Sequence, residues 1–208
     1  MSLLSWGIAS LYDRVMRRAE HACLGPWRRE LLAPLHGRVL EIGAGTGVNL
    51  AYYPPSVSSL TLAEPERHMR QRLARRIAGQ TRNTSVVAAS AEQLPFSENS
   101  FDAVVATLVL CSVHDPVASL REIWRVLAPG GKLAIIEHVG AIDNAAQFRW
   151  QQRAEPFWKR CSGNCHLTRD TLASLRTAGF RCEAIRNDIM RGAIWLVEPA
   201  IRGIAEKP

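Results

Sequence analysis

The stretch that most constrains this chain is "RVLEIGAGTGVNL", Arg38 to Leu50. A short apolar run leads into an acid, Glu41, and then into glycines at 43, 45 and 47. Such a run suits a strand covered on both faces. Alternate glycines let the backbone turn sharply and come close to a ligand. Two common phosphate-binding patterns fail here. A P-loop needs G-x-x-x-x-G-K-[ST], and no lysine follows. A dinucleotide fingerprint counted from Gly43 needs its third glycine at 48, where Val48 stands. What remains is E-x-G-x-G-x-G. It suits a ligand with a nucleoside end and a cationic end, with Glu41 offering a carboxylate to an ammonium group.

The rest of the chain alternates apolar runs with helical patterns, which predicts an α/β fold with a mainly parallel sheet. Strands are expected at 38–42, 59–64, 85–90, 101–108, 132–138, 180–188 and 199–207. A helix is expected over 116–127, with Asp115 as N-cap and Pro116 at the first helical position. Its buried stripe is Val117, Leu120, Trp124 and Leu127. A second helix is expected from about Thr168 to Ala178. The 208 residues suit one domain, 1–208, with residues 1–34 as an N-terminal helical cover. Segment 140–167 is too long for a plain connection and reads as an insertion or lid. Phe148, Trp150, Phe157 and Trp158 in it are candidates to wall an apolar pocket or to pack the segment down.

The presumed strand ends gather polar groups at one edge. Glu64 follows the second strand, where an acid can accept both hydroxyls of a ribose. Ser90, Glu92 and Gln93 follow the third. Ligands of such sheets bind in the crevice outside the carboxyl strand ends.

These residues carry a resemblance. The stretches "VLEIGAGTG", "AEPE", "AEQLPFSENSFDAVV", "TLVLCSV" and "LREIWRVLAPGGKL" resemble the class I S-adenosylmethionine-dependent methyltransferases. The resemblance implies a doubly wound, Rossmann-like sheet of seven strands with the last antiparallel. It implies S-adenosylmethionine as cofactor. Glu41, Gly43, Ala44, Gly45 and Gly47 would then hold its methionine end, with Asn49 beside them. Glu64, with Pro65, would take the ribose. Ser90, Ala91 and Glu92 would border the adenine, and Thr107 and Leu108 would complete the cradle. Many relatives carry aspartate where Ser90 stands. More narrowly, "YYPP", "TLVLCSV", "EHV", "WQQ" and "LTRDTL" are similar to the alkyl thiol S-methyltransferases. That implies methyl transfer to a small-molecule nucleophile such as a thiol. A lipid, either a phospholipid amine or a quinone precursor, is the alternative acceptor.

A thiol needs little acid–base machinery beyond loss of its proton. His138 at the end of the fifth strand and His114 after the fourth are the candidate bases, since histidine titrates near neutral pH. Ser112, Asp115, Glu137 and His166 lie at the same edge. "CSGNCH", 161–166, has C-x3-C-H spacing with no second cluster to complete four ligands, so no metal is expected. Cys111 reads as a small buried hydrophobe.

The net charge is +7 and nearly all the positive charge is arginine. The densest run, Glu66 to Arg76, reads as a solvated helix face, and no nucleic-acid partner is expected. The five cysteines are an odd number, which fits a reducing, cytoplasmic setting. Leu4, Ile8, Leu11 and Val15 recur at helical spacing. That helix is too short to span a bilayer. It suits either a cover for the domain or peripheral contact with a membrane surface.

Overall fold

The computed structural model describes residues 17–78 and 83–208. The amphipathic helix predicted through Leu4 and Val15 lies outside the described residues.

Seven strands form one sheet: β1 (Gly37–Ile42), β2 (Val57–Ala63), β3 (Thr84–Val87), β4 (Phe101–Thr107), β5 (Leu127–His138), β6 (Arg186–Ile189) and β7 (Pro199–Glu206). Their spatial order is β3-β2-β1-β4-β5-β7-β6. The pairs from β3 through β5 are parallel, and β7 runs antiparallel to both β5 and β6. Among the described residues, five α-helices pack around it: α1 (Gly25–Leu32), α2 (Arg67–Ile77), α3 (Pro116–Val126), α4 (Ala145–Cys161) and α5 (Thr171–Thr177). A π-helical turn, Glu20–Leu24, runs directly into α1.

Alternation along the central strands sorts the core. Leu40, Ile42, Val104, Ala106, Leu133 and Ile135 bury into one face with Leu120, Ile123 and Leu175. Val39, Ala103, Val105, Ala134 and Ile136 bury into the other with Leu24, Leu31 and Leu32. Both faces are covered, as continuous apolar strands require. Glu41 shares the face of Val39, toward α1.

Two central strands bracket β1 in register. Ile42 pairs with Ala63 on one side and with Ala106 on the other. The loops after β1, β2 and β4 therefore begin at one edge of the sheet. Thr107 pairs with Ile136, which brings the end of β5 to the same edge.

Several expected boundaries shift. The third strand stops at Val87 rather than Ser90, and the sixth runs only over 186–189 against the predicted 180–188. Phe180 and Cys182 are buried in the core without entering the ladder. In α3, Asp115 caps as expected, accepting from the Val117 and Ala118 amides. Val117, however, is 63% exposed. The buried stripe is Ser119, Leu120, Ile123 and Val126, one step around the helix from the predicted one. Much of segment 140–167 is the 17-residue helix α4. The basic run forms α2, which buries Leu73 alone. No helix among the described residues is long and apolar enough to cross a membrane.

Candidate active site

The glycine loop turns on three positive φ angles: +56° at Gly43, +56° at Gly45 and +84° at Gly47. The reasons for glycine differ. A Cβ on Gly43 would strike the Val109 side chain at 2.5 Å, and one on Gly47 would strike Leu73 and Leu50 at 2.6 and 2.7 Å. A Cβ on Gly45 would meet nothing nearer than the Gly43 carbonyl at 3.9 Å. Gly43 and Gly47 thus serve the protein's own packing, while Gly45 borders open space that a ligand can occupy.

Glu64 sits beside that space and is 6% exposed. Its Oε2 accepts the Gly45 N–H at 2.8 Å and its Oε1 accepts the Glu66 N–H at 2.8 Å. Each oxygen keeps a lone pair for a hydroxyl donor. Burial pushes its pKa up, against the pull of those two amides. An acid locked to the glycine loop and still able to accept is what a ribose diol requires. The residues present, an acceptor acid beside an open glycine, therefore fit S-adenosylmethionine.

Glu41 is differently employed. It is fully buried, and Asn49 Nδ2 donates to its Oε1 at 2.9 Å while the Tyr53 hydroxyl donates to Oε2 at 2.7 Å. Asn49 and Thr107 each accept from Arg28 Nη1, at 2.7 and 2.9 Å. Arg28 in turn pairs with Glu20 at 2.8 Å. Burial raises the Glu41 pKa to about 7, opposed by the bonds from Tyr53 and Asn49. Glu41 thus braces the floor beneath the loop through a network reaching into the N-terminal helices. Arg28, Tyr53 and Glu20 were missed in the sequence. Arg28 is one arginine among many and carries no motif.

Farther along the edge, Ser90 makes a bridge with Gln93, and Ala91 is buried. Glu92 accepts the His114 backbone N–H at 2.8 Å. Burial raises the Glu92 pKa, yet amides and the Ser90 hydroxyl together bring it below its usual value. His114 itself is exposed, and its backbone is its link to this edge. Pro65 follows Glu64, and its carbonyl accepts from Arg70 Nη1 at 2.7 Å.

The turn after β4 is held from below. Leu108 has φ +58°, a strained setting for a residue with a side chain. Glu137, at the end of β5, is fully buried and accepts the N–H groups of Val109, Leu110 and Cys111 at 2.8, 2.9 and 3.2 Å. Burial pushes its pKa up despite the three amides. That clamp holds the strained turn in place.

The segment after α4 is stitched to the same turn. His166 N–H donates to the Cys111 carbonyl at 2.8 Å, and Asn164 Nδ2 donates to the Ser112 carbonyl at 2.8 Å. Arg169 donates to the Leu110 and Val113 carbonyls. These bonds bring Cys165 to Cys111 and to His138, whose Nε2 lies 2.8 Å from the Cys165 Sγ. Hydrogen bonding from Cys111, then from His138, holds the Cys165 thiol well below its ordinary pKa. The Cys111 thiol rises correspondingly. "CSGNCH" does not act as one unit: Cys161 is exposed, and His166 turns to Glu155 at 3.2 Å. Phe148 and Trp158 are half-buried, while Trp150 and Phe157 are 55% and 72% exposed.

A doubly wound sheet in this order, with an acid–glycine loop after β1 and a diol-ready acid after β2, defines a Rossmann-like nucleoside-binding enzyme. Residues 40–135 match the family described as a methyltransferase domain. The human thiol S-methyltransferase TMT1B is 38% identical over 165 residues, 74% of this chain and 67% of that protein. The human thiol S-methyltransferase TMT1A is 37% identical over 174 residues, 81% of this chain and 70% of that protein. A demethylmenaquinone methyltransferase from Clavibacter sepedonicus is 32% identical over 225 residues, 97% of this chain and 91% of that one. The fold matches a solved S-adenosylmethionine-dependent methyltransferase from Thermotoga maritima with a TM-score of 0.69 at 22% identity, covering 99% and 98% of the two chains. The chain belongs to the S-adenosylmethionine-dependent methyltransferases, and S-adenosylmethionine is its methyl donor.

Proposed function

We propose that this methyltransferase acts on the sulfur of a small, apolar thiol. The observation that carries the reading is the substrate-side edge itself. Beside the cofactor cradle, the ends of β4 and β5 present sulfur, imidazole and apolar groups, with Glu137 turned inward to the backbone. The similarity to two human thiol S-methyltransferases supports it.

Bound S-adenosylmethionine supplies an activated methyl group. The chain's own residues then have three tasks. Glu41, Gly43, Ala44, Gly45, Gly47 and Asn49 shape and brace the methionine side. Glu64 and Pro65 hold the ribose side, and Ser90, Ala91, Glu92, Thr107 and Leu108 close the cradle. His138, beside Cys165 at the end of β5, is the catalytic candidate: it favours the thiolate form of the substrate, which is the nucleophile. His114 points into solvent and is the weaker candidate. Segment 140–167 walls the substrate side and keeps water out. The five unbridged cysteines fit a cytoplasmic setting. Exposed Trp150, Phe157 and Trp195 would supply any peripheral membrane contact of the described residues.

A quinone precursor is the second reading, favoured by the Clavibacter relative that matches most of the chain. One assay separates them. The enzyme is incubated with labelled S-adenosylmethionine and, separately, with a panel of alkyl and aryl thiols and a demethylated quinone. S-methyl products at rates well above the quinone reaction are expected. Product from the quinone alone would overturn the thiol reading.

A further inference from the structure

The thiol–imidazole cluster behind the β4 turn has the makings of a metal site. Cys111 Sγ, Cys165 Sγ and a ring nitrogen of His138 all lie within 4.8 Å of one another. All three residues are buried, at 2%, 9% and 3% exposure. They come from three separate elements, the β4 turn, the end of β5 and the α4–α5 connection. The backbone bonds around Cys111, Asn164 and His166 fix their approach. His138 Nδ1 is buried without a hydrogen-bond partner among the described residues, and the Trp158 side chain lies against Cys165.

We propose that Cys111, His138 and Cys165 bind one zinc ion and leave its fourth position for the sulfur of the substrate. Two thiolates and an imidazole are a donor set that suits zinc, and they disfavour magnesium and calcium. Three protein ligands with an open fourth position are the pattern of zinc sites that bind substrate. Zinc bonds of about 2.3 Å to sulfur and about 2.0 Å to nitrogen place neighbouring ligand atoms about 3.5 Å apart. The His138–Cys165 pair at 2.8 Å needs only a side-chain shift of about 1 Å to reach that spacing. His138 would bind through Nε2. Coordination lets the incoming thiol release its proton to solvent, leaving a zinc-bound thiolate. The cluster lies at the ends of β4 and β5, the strand pair that also carries Thr107, which accepts a hydrogen bond from Asn49. The fourth ligand rests on the thiol reading; the metal count does not.

The test uses the full chain purified under reducing, metal-controlled conditions. Elemental analysis and zinc titration are expected to give one equivalent per chain. With cobalt(II) as probe, a sulfur-to-cobalt charge-transfer band is expected. Cys111→Ser and Cys165→Ser should each weaken zinc binding at least tenfold and reduce the band, whereas Cys161→Ser should leave both intact. Should the first two variants fold poorly, alkylation of the wild-type chain serves instead: zinc should protect Cys111 and Cys165 but not Cys161. Ethanethiol should shift the cobalt ligand-field bands. Substoichiometric zinc, or equal alkylation with and without zinc, overturns the site. A cobalt spectrum indifferent to ethanethiol overturns the open fourth position. No methyl transfer is read, so failure of the thiol methylation reading is told apart.

Discussion

The two halves of the sheet's carboxyl edge are built on different plans. On the β1–β2 side, the ligand cradle is mostly backbone, drawn from one short contiguous loop and one acid. Glu64 grips Gly45 directly, so the groups proposed for the methionine and ribose ends fall within residues 41–66. On the β4–β5 side, the groups come from positions 108–111, 137–138 and 164–169, far apart in sequence. There a buried carboxylate and side-chain-to-carbonyl bonds do the positioning. The first plan is local in sequence, leaning on distant segments only where Asn49 meets Arg28 and Thr107. The second is assembled from distant segments throughout.

The strongest way to break this comparison is to remove the clamp. Glu137→Ala leaves three buried N–H groups without an acceptor. Each such loss costs about 1–3 kcal/mol. A stability loss of about 4 kcal/mol is expected in denaturant unfolding. A loss below about 1 kcal/mol would mean that the strained turn at Leu108 is held by something else.

The two plans also explain what could be read in advance. The glycine loop, Glu64 and the four central strands were legible because contiguous motifs and unbroken apolar runs carry them. The seven-stranded topology followed from the resemblance and stands in the structure. Helix α4 was hidden for a physical reason. Its buried residues are Gln147 and Gln151, with no apolar stripe to set a period. It docks through amides instead: Gln151 accepts the Ala141 N–H and donates to the Val139 and Leu196 carbonyls. Strand β6 was overextended because Phe180 and Cys182 look like strand residues but pack as a loop. The Cys111–His138–Cys165 grouping could not be seen either. The C-x3-C-H spacing drew attention to neighbours that point apart, and only tertiary contact reveals the true set.

A second test sharpens the cofactor half. Glu41 is buried in both senses, enclosed by protein and held near neutrality. Its folded pKa of about 7 lies above the 4.5 of an ordinary glutamate. Below pH 4.5 both folded and unfolded states hold the proton. As pH rises toward 7 the unfolded state gives it up more readily, so this group's contribution to stability is lost. The shift corresponds to about 3 kcal/mol across that window. Glu41→Gln keeps an acceptor for Asn49 but cannot ionise. Its stability relative to wild type should improve by up to about 3 kcal/mol between pH 5 and pH 8. Parallel unfolding series at the two pH values read the difference directly. Parallel curves would mean that Arg28 and the donors already stabilise the charged form. The bracing role of Glu41 would then be electrostatic from the start.

The smallest expected effect lies where the two halves meet. Ser90 helps hold Glu92, and Glu92 accepts the His114 N–H just before α3. The edge proposed to border the adenine is therefore tied to the start of α3 through the Glu92 carboxylate. Ser90→Ala removes one hydroxyl donor from an acceptor that keeps its backbone partners. The fold should barely notice, with stability within about 0.5 kcal/mol of wild type. Affinity for S-adenosylhomocysteine in calorimetry should fall about fivefold, the equivalent of one hydrogen bond of about 1 kcal/mol. If affinity is unchanged while thiol turnover drops, the serine acts across the boundary, through Glu92 and α3. The two halves of the edge would then be coupled where the hydrogen bonds suggest only contact.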